Sequence, residues 1–220
     1  MLSPLRIVRL AWHSLRLAID PTSLSAVFGV VDAITTPEQL AALRADVAHN
    51  PGAAAALVTQ PRLHHIDVDD LTQRPDGSLG RSFAAFVRAN GIEPAVLTDR
   101  AVGDQDWVSI HLYETHDIWH VLTGIDTDPL GELELQAFVL AQLPSERLAA
   151  VAMGVGFLRA AIGHATLTPG NVLDAIGRGR EAGQRAELLF GVDWSTQWDR
   201  PLAEVREALG LRVEPGVLAA

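Results

Sequence analysis

The sequence predicts an all-α fold, a single compact multi-helix domain of about ten helices covering residues 1–220, and three observations predict it. Apolar residues recur at helical spacing nearly everywhere. No run of four to eight residues alternates Val, Ile or aromatics as a half-buried strand would. Helix starts are marked by proline at or near the first helical position, in Thr36-Pro37-Glu38, Asp128-Pro129 and Arg200-Pro201, and stops by glycine and proline.

In chain order, the first expected helix, 4–19, is basic and amphipathic. Arg6, Arg9, His13 and Arg16 fall within about 80° of one another, and no acidic residue precedes Asp20. Such a stripe suits an anionic membrane surface or the solvated face of a core helix. Helices over 22–34, 37–49 and 51–59 follow. The stretch 60–78, with Pro61, Pro75, Asp69-Asp70 and Asp76-Gly77, reads as a surface loop. A helix over 79–90 leads to one over 104–123, whose Trp107, Val108, Ile110, Leu112, Ile118, Trp119, Val121 and Leu122 point in almost every direction, so it is a buried helix. Helix 129–142 starts from Asp128 as N-cap with Pro129 first. The remaining helices are 145–163, 170–188 and 201–210. The apolar run Leu148 to Leu158, ended by Arg159, is too short to span a bilayer.

Composition excludes several chemistries. With 48% hydrophobic and 20% charged residues the chain is globular rather than disordered. A net charge of −10 repels a phosphate backbone, so nucleic acid is not an expected partner. The absence of cysteine removes disulfides, iron-sulfur clusters and thiolate catalysis, and confines metal ligands to His, Asp and Glu. All 17 basic residues are arginine, which rules out a Schiff-base lysine and a P-loop. Arg6 and Arg9 inside the first apolar run argue against a secretory signal, and the expected location is cytoplasmic.

On the buried helix 104–123, His120 lies about 40° from His116, with Tyr113 near 60° and Asp117 near 100°. Two imidazoles at i and i+4 can face one ion, and neutral imidazole suits zinc or another transition metal. Asp117 is a poor match for the Glu general base of the His-Glu-x-x-His proteases, and no downstream third ligand of that pattern follows. An HD-type phosphohydrolase needs a separate upstream His and a downstream Asp, whereas here a second His lies three residues after Asp117. After eleven intervening residues His120 is followed by Glu132, at the fourth position of its helix, where a capping-box carboxylate would be at the third. Burying these groups is costly unless something pairs them; a divalent cation does so, and a hydrogen-bonded polar network is the alternative.

The pattern His116-Asp117-x-x-His120, eleven residues, Glu132 resembles the signature of the coenzyme Q (ubiquinone) biosynthesis protein Coq-four family. Leu79-Gly80-Arg81 with Phe83 and Phe86, and the closing Trp194, Trp198, Pro201, Leu202, Arg206 and Leu209, are similar to segments of that family, and the stretch 177–194 is similar to its bacterial branch. The likeness runs from about residue 5 to 211. The segment His111-Leu112-Tyr113 departs from the basic residues of many eukaryotic members.

The resemblance implies an all-helical protein of ubiquinone biosynthesis, peripheral to the inner face of the cell membrane. It implies a divalent metal, zinc first and iron, manganese or magnesium otherwise, held by His116, Asp117, His120 and Glu132. Asp117 is either a ligand or the acceptor that orients one histidine. Two roles follow. One is oxidative decarboxylation at ring carbon 1 of a polyprenyl-hydroxybenzoate, with those four residues catalytic and Arg81 and Tyr113 against the substrate. The other is a non-catalytic, lipid-binding scaffold for the other ubiquinone biosynthesis proteins. The partners implied are a polyprenylated quinone precursor, those proteins, an anionic membrane surface and a second copy in a homodimer. Gly154 and Gly156 in 150–163 leave room either for a polyprenyl groove or for close helix packing.

Overall fold

The computed structural model describes residues 2–20, 23–92 and 106–212, and these are all-helical: among them no strand forms, and a lone antiparallel bridge joins Ser78 to Pro201. The chain packs as two units, 1–43 with 128–184 and 44–127 with 185–220. No helix among the described residues is long and apolar enough to cross a membrane.

The first unit contains α1 (Pro4–Ile19), α2 (Leu24–Ile34), the first half of α3 (Pro37–Ala48), α9 (Pro129–Gln142), α10 (Arg147–Ala161) and nearly all of α11 (Pro169–Arg185). α1 packs on α2 and α10, and α9 on α10. Ala26, Val30 and Ala33 of α2 are wholly buried. The Glu146 carboxylate caps α10 through the Ala149 N–H at 2.5 Å, and its burial pushes its pKa up.

On α1 the residues of the expected basic stripe border α2, with Arg9 still exposed. The Arg6 guanidinium donates to the carbonyls of Asp32, Ala33 and Thr35 at 3.0, 3.2 and 2.7 Å, around the C-terminal end of α2. Arg9 pairs with Asp32, Arg16 bonds Ser23 and Ser25, and the His13 ring fills the space where residue 29 would carry a Cβ were it not glycine. For Arg6 the physical reason is that the last carbonyls of a helix lack intrahelical donors and form its negative end, so they attract its guanidinium.

The glycines of this unit separate by what lies opposite them. Gly156 is packed beneath the Leu133 side chain, as close helix packing requires, while Gly154 faces open space. In α11 a Cβ at Gly179 would collide with the Glu134 carbonyl oxygen, and one at Gly183 would stand 2.6 Å from that of Phe138; at Gly177 nothing lies within 4 Å. Gly179→Ala is therefore expected to destabilise the protein by about 1–3 kcal/mol through overpacking against backbone. Gly177→Ala should stabilise by about 0.5–1 kcal/mol through helix propensity. Urea denaturation of the pair checks this, and shifts of the same sign would contradict it.

The second unit holds the rest of α3, then α4 (Pro51–Ala54), α5 (Ala56–Thr59), α6 (Val68–Leu71), α7 (Leu79–Asn90), α8 (Trp107–Thr123), a 3-10 turn at Trp194–Thr196 and α12 (Leu202–Ala208). The helix expected over 51–59 divides at Ala55, and the loop expected over 60–78 contains α6, capped by Asp67. Residues 104 and 105 of the expected 104–123 lie outside the described residues. α8 starts instead from Asp106, whose carboxylate accepts from the Val108 N–H and pairs with Arg44.

Two segments noted in the sequence meet here. The N–H groups of Leu79 and Gly80 donate to the carbonyls of Arg200 and Trp198, both at 2.9 Å, and Phe83 packs on Trp198 at 5.5 Å between ring centroids. A Cβ at residue 80 would stand 3.0 Å from the Trp198 carbonyl oxygen, which is why glycine follows Leu79. α7 and α12 both pack on α8, whose Ile118, Trp119 and Leu122 are at most 1% exposed.

Candidate metal centre

α8 carries the histidine pair. His116 and His120 stand one turn apart with ring centroids 4.9 Å apart and planes at 87°, edge to face. His120 is 1% exposed and His116 half-buried. The His120 Nδ1 lies 2.9 Å from the Ile125 carbonyl oxygen. A carbonyl only accepts, so Nδ1 carries the proton and Nε2 keeps the lone pair, the tautomer a metal ligand needs.

The surroundings hold this ring in place. Phe86 of α7 stacks on it at 5.8 Å and 22°. The turn supplying the Ile125 carbonyl begins at Gly124, in the left-handed region at φ 72°, and is tied to α7 by the Thr127 hydroxyl on Asn90 at 2.9 Å. From α12, Arg206 donates to the carbonyls of Leu122 and Val121 at 2.9 and 2.8 Å, closing the end of α8.

The other expected residues are distributed as follows. Tyr113 and Asp117 lie half-buried on α8. Glu132 is half-buried in the first turn of α9, in the other unit; Asp128 caps that helix by accepting from the Gly131 N–H at 2.7 Å, which leaves Glu132 out of the capping role. Arg81 sits in the first turn of α7, exposed, with its guanidinium 2.5 Å from Asp76.

A second polar cluster on α8 was not read from the sequence. The Glu114 side chain is fully buried and takes Arg62 at 2.5 Å and the Leu63 N–H at 3.2 Å. His111, 1% exposed, lies between the Pro61 carbonyl on Nδ1 at 3.2 Å and the Gly191 N–H on Nε2 at 3.1 Å; Trp107 and Phe190 pack on its ring. The available signal was an ionisable residue within a helix that is apolar all round, which must bring its own partner inside.

Burial pushes the His111 imidazole from its ordinary 6.5 down to about 4, against the opposing pull of Glu114 and the Pro61 carbonyl. The unfolded chain then binds the proton more readily than the folded one, so stability falls as pH drops from about 6.5 towards 4 and is independent of this group above that window. The total loss should be on the order of 3 kcal/mol, with a slope of at most about 1.4 kcal/mol per pH unit. Denaturation midpoints at several pH values should show a shallower acid slope in His111→Gln; identical slopes would exclude a neutral buried His111.

The family model described as coenzyme Q (ubiquinone) biosynthesis protein Coq4 matches residues 5–215. The rat protein named ubiquinone biosynthesis protein COQ4 homolog, mitochondrial, is 29% identical over 223 residues, covering 97% of this chain and 81% of its own. The human protein of the same name is 28% identical over 218 residues with the same coverage. Among solved structures, a protein of Nostoc punctiforme PCC 73102 named for ubiquinone biosynthesis superposes with a TM-score of 0.77 at 25% identity, covering 93% of this chain and 98% of its own.

Proposed function

Because the chain belongs to the coenzyme Q (ubiquinone) biosynthesis protein Coq4 family and so takes part in ubiquinone biosynthesis, we propose that it performs the oxidative decarboxylation of a polyprenyl-hydroxybenzoate at ring carbon 1. The reaction replaces the ring carboxyl by a hydroxyl; overall it consumes dioxygen, two protons and two electrons from a separate two-electron donor such as a reduced nicotinamide, and releases carbon dioxide and water. The observation that carries the reading is the His116 and His120 pair, with His120 locked in the ligand tautomer on a buried helix.

The donor set fits a divalent metal. Two imidazole nitrogens come from α8, and the proposed third donor is the Glu132 carboxylate, twelve residues beyond His120. With no thiolate in the chain, nitrogen and oxygen donors suit zinc first, and iron, manganese or magnesium after it. When bound, such a metal supplies Lewis-acid stabilisation of anionic ring and carboxylate oxygens and, if it is iron or manganese, a redox partner for dioxygen. Asp117 serves as a further ligand or as the acceptor that orients His116.

The chain's own residues then bind and orient. Tyr113, one turn before His116, donates its phenolic proton to an oxygen of the substrate ring. Arg81 reaches the substrate carboxylate only by exchanging Asp76 for it. The polyprenyl tail places the work at a membrane surface.

The test follows labelled carbon dioxide from a carboxyl-labelled prenylated hydroxybenzoate. Wild-type protein should release it, and His116→Ala should lower the rate by roughly a hundredfold or more. If a metal-free His116→Ala/His120→Ala chain still restores ubiquinone in a deficient strain, the decarboxylase assignment is lost and the scaffold role takes its place.

A further inference from the structure

The outward face of α1 is apolar. Leu5, Val8, Trp12, Leu15 and Ile19 are 64, 65, 60, 48 and 74% exposed. Their spacing of three, four, three and four residues puts them within about 80° of one another, along roughly 21 Å of helix. The opposite side, with His13, Leu17 and the buried Ala18, is the one turned inward; no charged side chain lies within the outer stripe, and exposed Arg9 borders it about 40° from Leu5. Together the five expose on the order of 500–600 Å², the size at which an apolar patch marks a binding surface.

We propose that this stripe lies in the interfacial layer of a lipid bilayer with zwitterionic headgroups, with α1 parallel to the membrane plane. Charge argues for that occupant. The cations of α1 are committed to the carbonyls of α2, to Asp32 and to Ser23 and Ser25, and the chain carries a net −10, so an anionic surface is repelled rather than attracted. A second copy carries the same −10. Area argues the same way: the stripe offers less than the about 800 Å² that each partner buries in a standard-sized complex. A neutral bilayer imposes neither condition, and Trp12 at the middle of the stripe is the side chain that favours such an interface.

The inference rests on the proposed function only in that a polyprenylated substrate resides in a bilayer, and its test needs neither metal nor turnover. Full-length protein is floated with phosphatidylcholine vesicles in low and in 0.5 M salt, beside Trp12→Asp, Leu15→Asp and, as a control, Val58→Asp, which alters an 86% exposed valine in the other unit. Wild-type and the control should bind alike at both salt concentrations, and either α1 variant should bind roughly tenfold or more weakly. Should those variants misfold, brominated lipid on the wild-type protein decides. Trp107, Trp119 and Trp194 are buried and Trp198 is half-buried against Phe83 in the other unit, so quenching should fall first on exposed Trp12.

Three results would overturn the proposal: no vesicle binding, or binding that requires anionic lipid and disappears in high salt, or a stable dimer that Trp12→Asp dissociates. The last would assign the stripe to a second copy.

Discussion

Replacing His120 by glutamine is expected to leave a folded chain that no longer retains a metal ion. The glutamine amide can still donate towards the Ile125 carbonyl, which alanine would leave without its donor at a cost of about 1–3 kcal/mol. What glutamine cannot supply is the imidazole lone pair. Structural zinc is held in peptides by about 10–16 kcal/mol shared among its ligands, so losing one of three or four donors should weaken affinity by at least about a hundredfold. Elemental mass spectrometry and chelator competition measure this directly. Undiminished affinity in His120→Gln would remove His120 from the metal site and make the pair on α8 a polar network.

Glu114→Ala should be the most damaging single change to stability, by about 3–5 kcal/mol. The Glu114 carboxylate is fully buried, Arg62 opposite it is 18% exposed, and truncation leaves a guanidinium and the Leu63 N–H facing a void. The loss would spread, because the segment that Glu114 holds also presents the Pro61 carbonyl to both His111 and Trp107. Glu114→Leu/Arg62→Met should recover most of the stability, since a well-packed apolar pair avoids the desolvation of two charges. Urea denaturation decides: a single variant as stable as the wild type would mean that the ion pair contributes nothing.

Most helices were legible because their signals are local. Asp128 and Pro129 start α9 where expected, and α7 and α9 keep their expected bounds of 79–90 and 129–142. The departures have local causes too. Pro51 and the alanine-rich 53–56 promise one helix, which divides at Ala55 although its φ of −60° and ψ of −31° stay helical, and Asp67 caps a four-residue helix inside a stretch dominated by turn residues. The face shared by His116 and His120 was readable from a separation of four residues. The Arg62 partner of Glu114, 52 residues away, was not.

The sequence by itself determined the helical class, the helix starts, the exclusion of thiol and lysine chemistry, and the pairing of His116 with His120, since each depends on composition or on neighbours within a turn. Tertiary structure decided which way α1 faces, sending its arginines to the two ends of α2 and Leu5, Trp12 and Leu15 outward. It also decided that Gly179 faces backbone while Gly177, two residues earlier, faces open space. Helical periodicity specifies the angle between two side chains on one helix, but what stands opposite each depends on residues distant in sequence, and only packing brings those together.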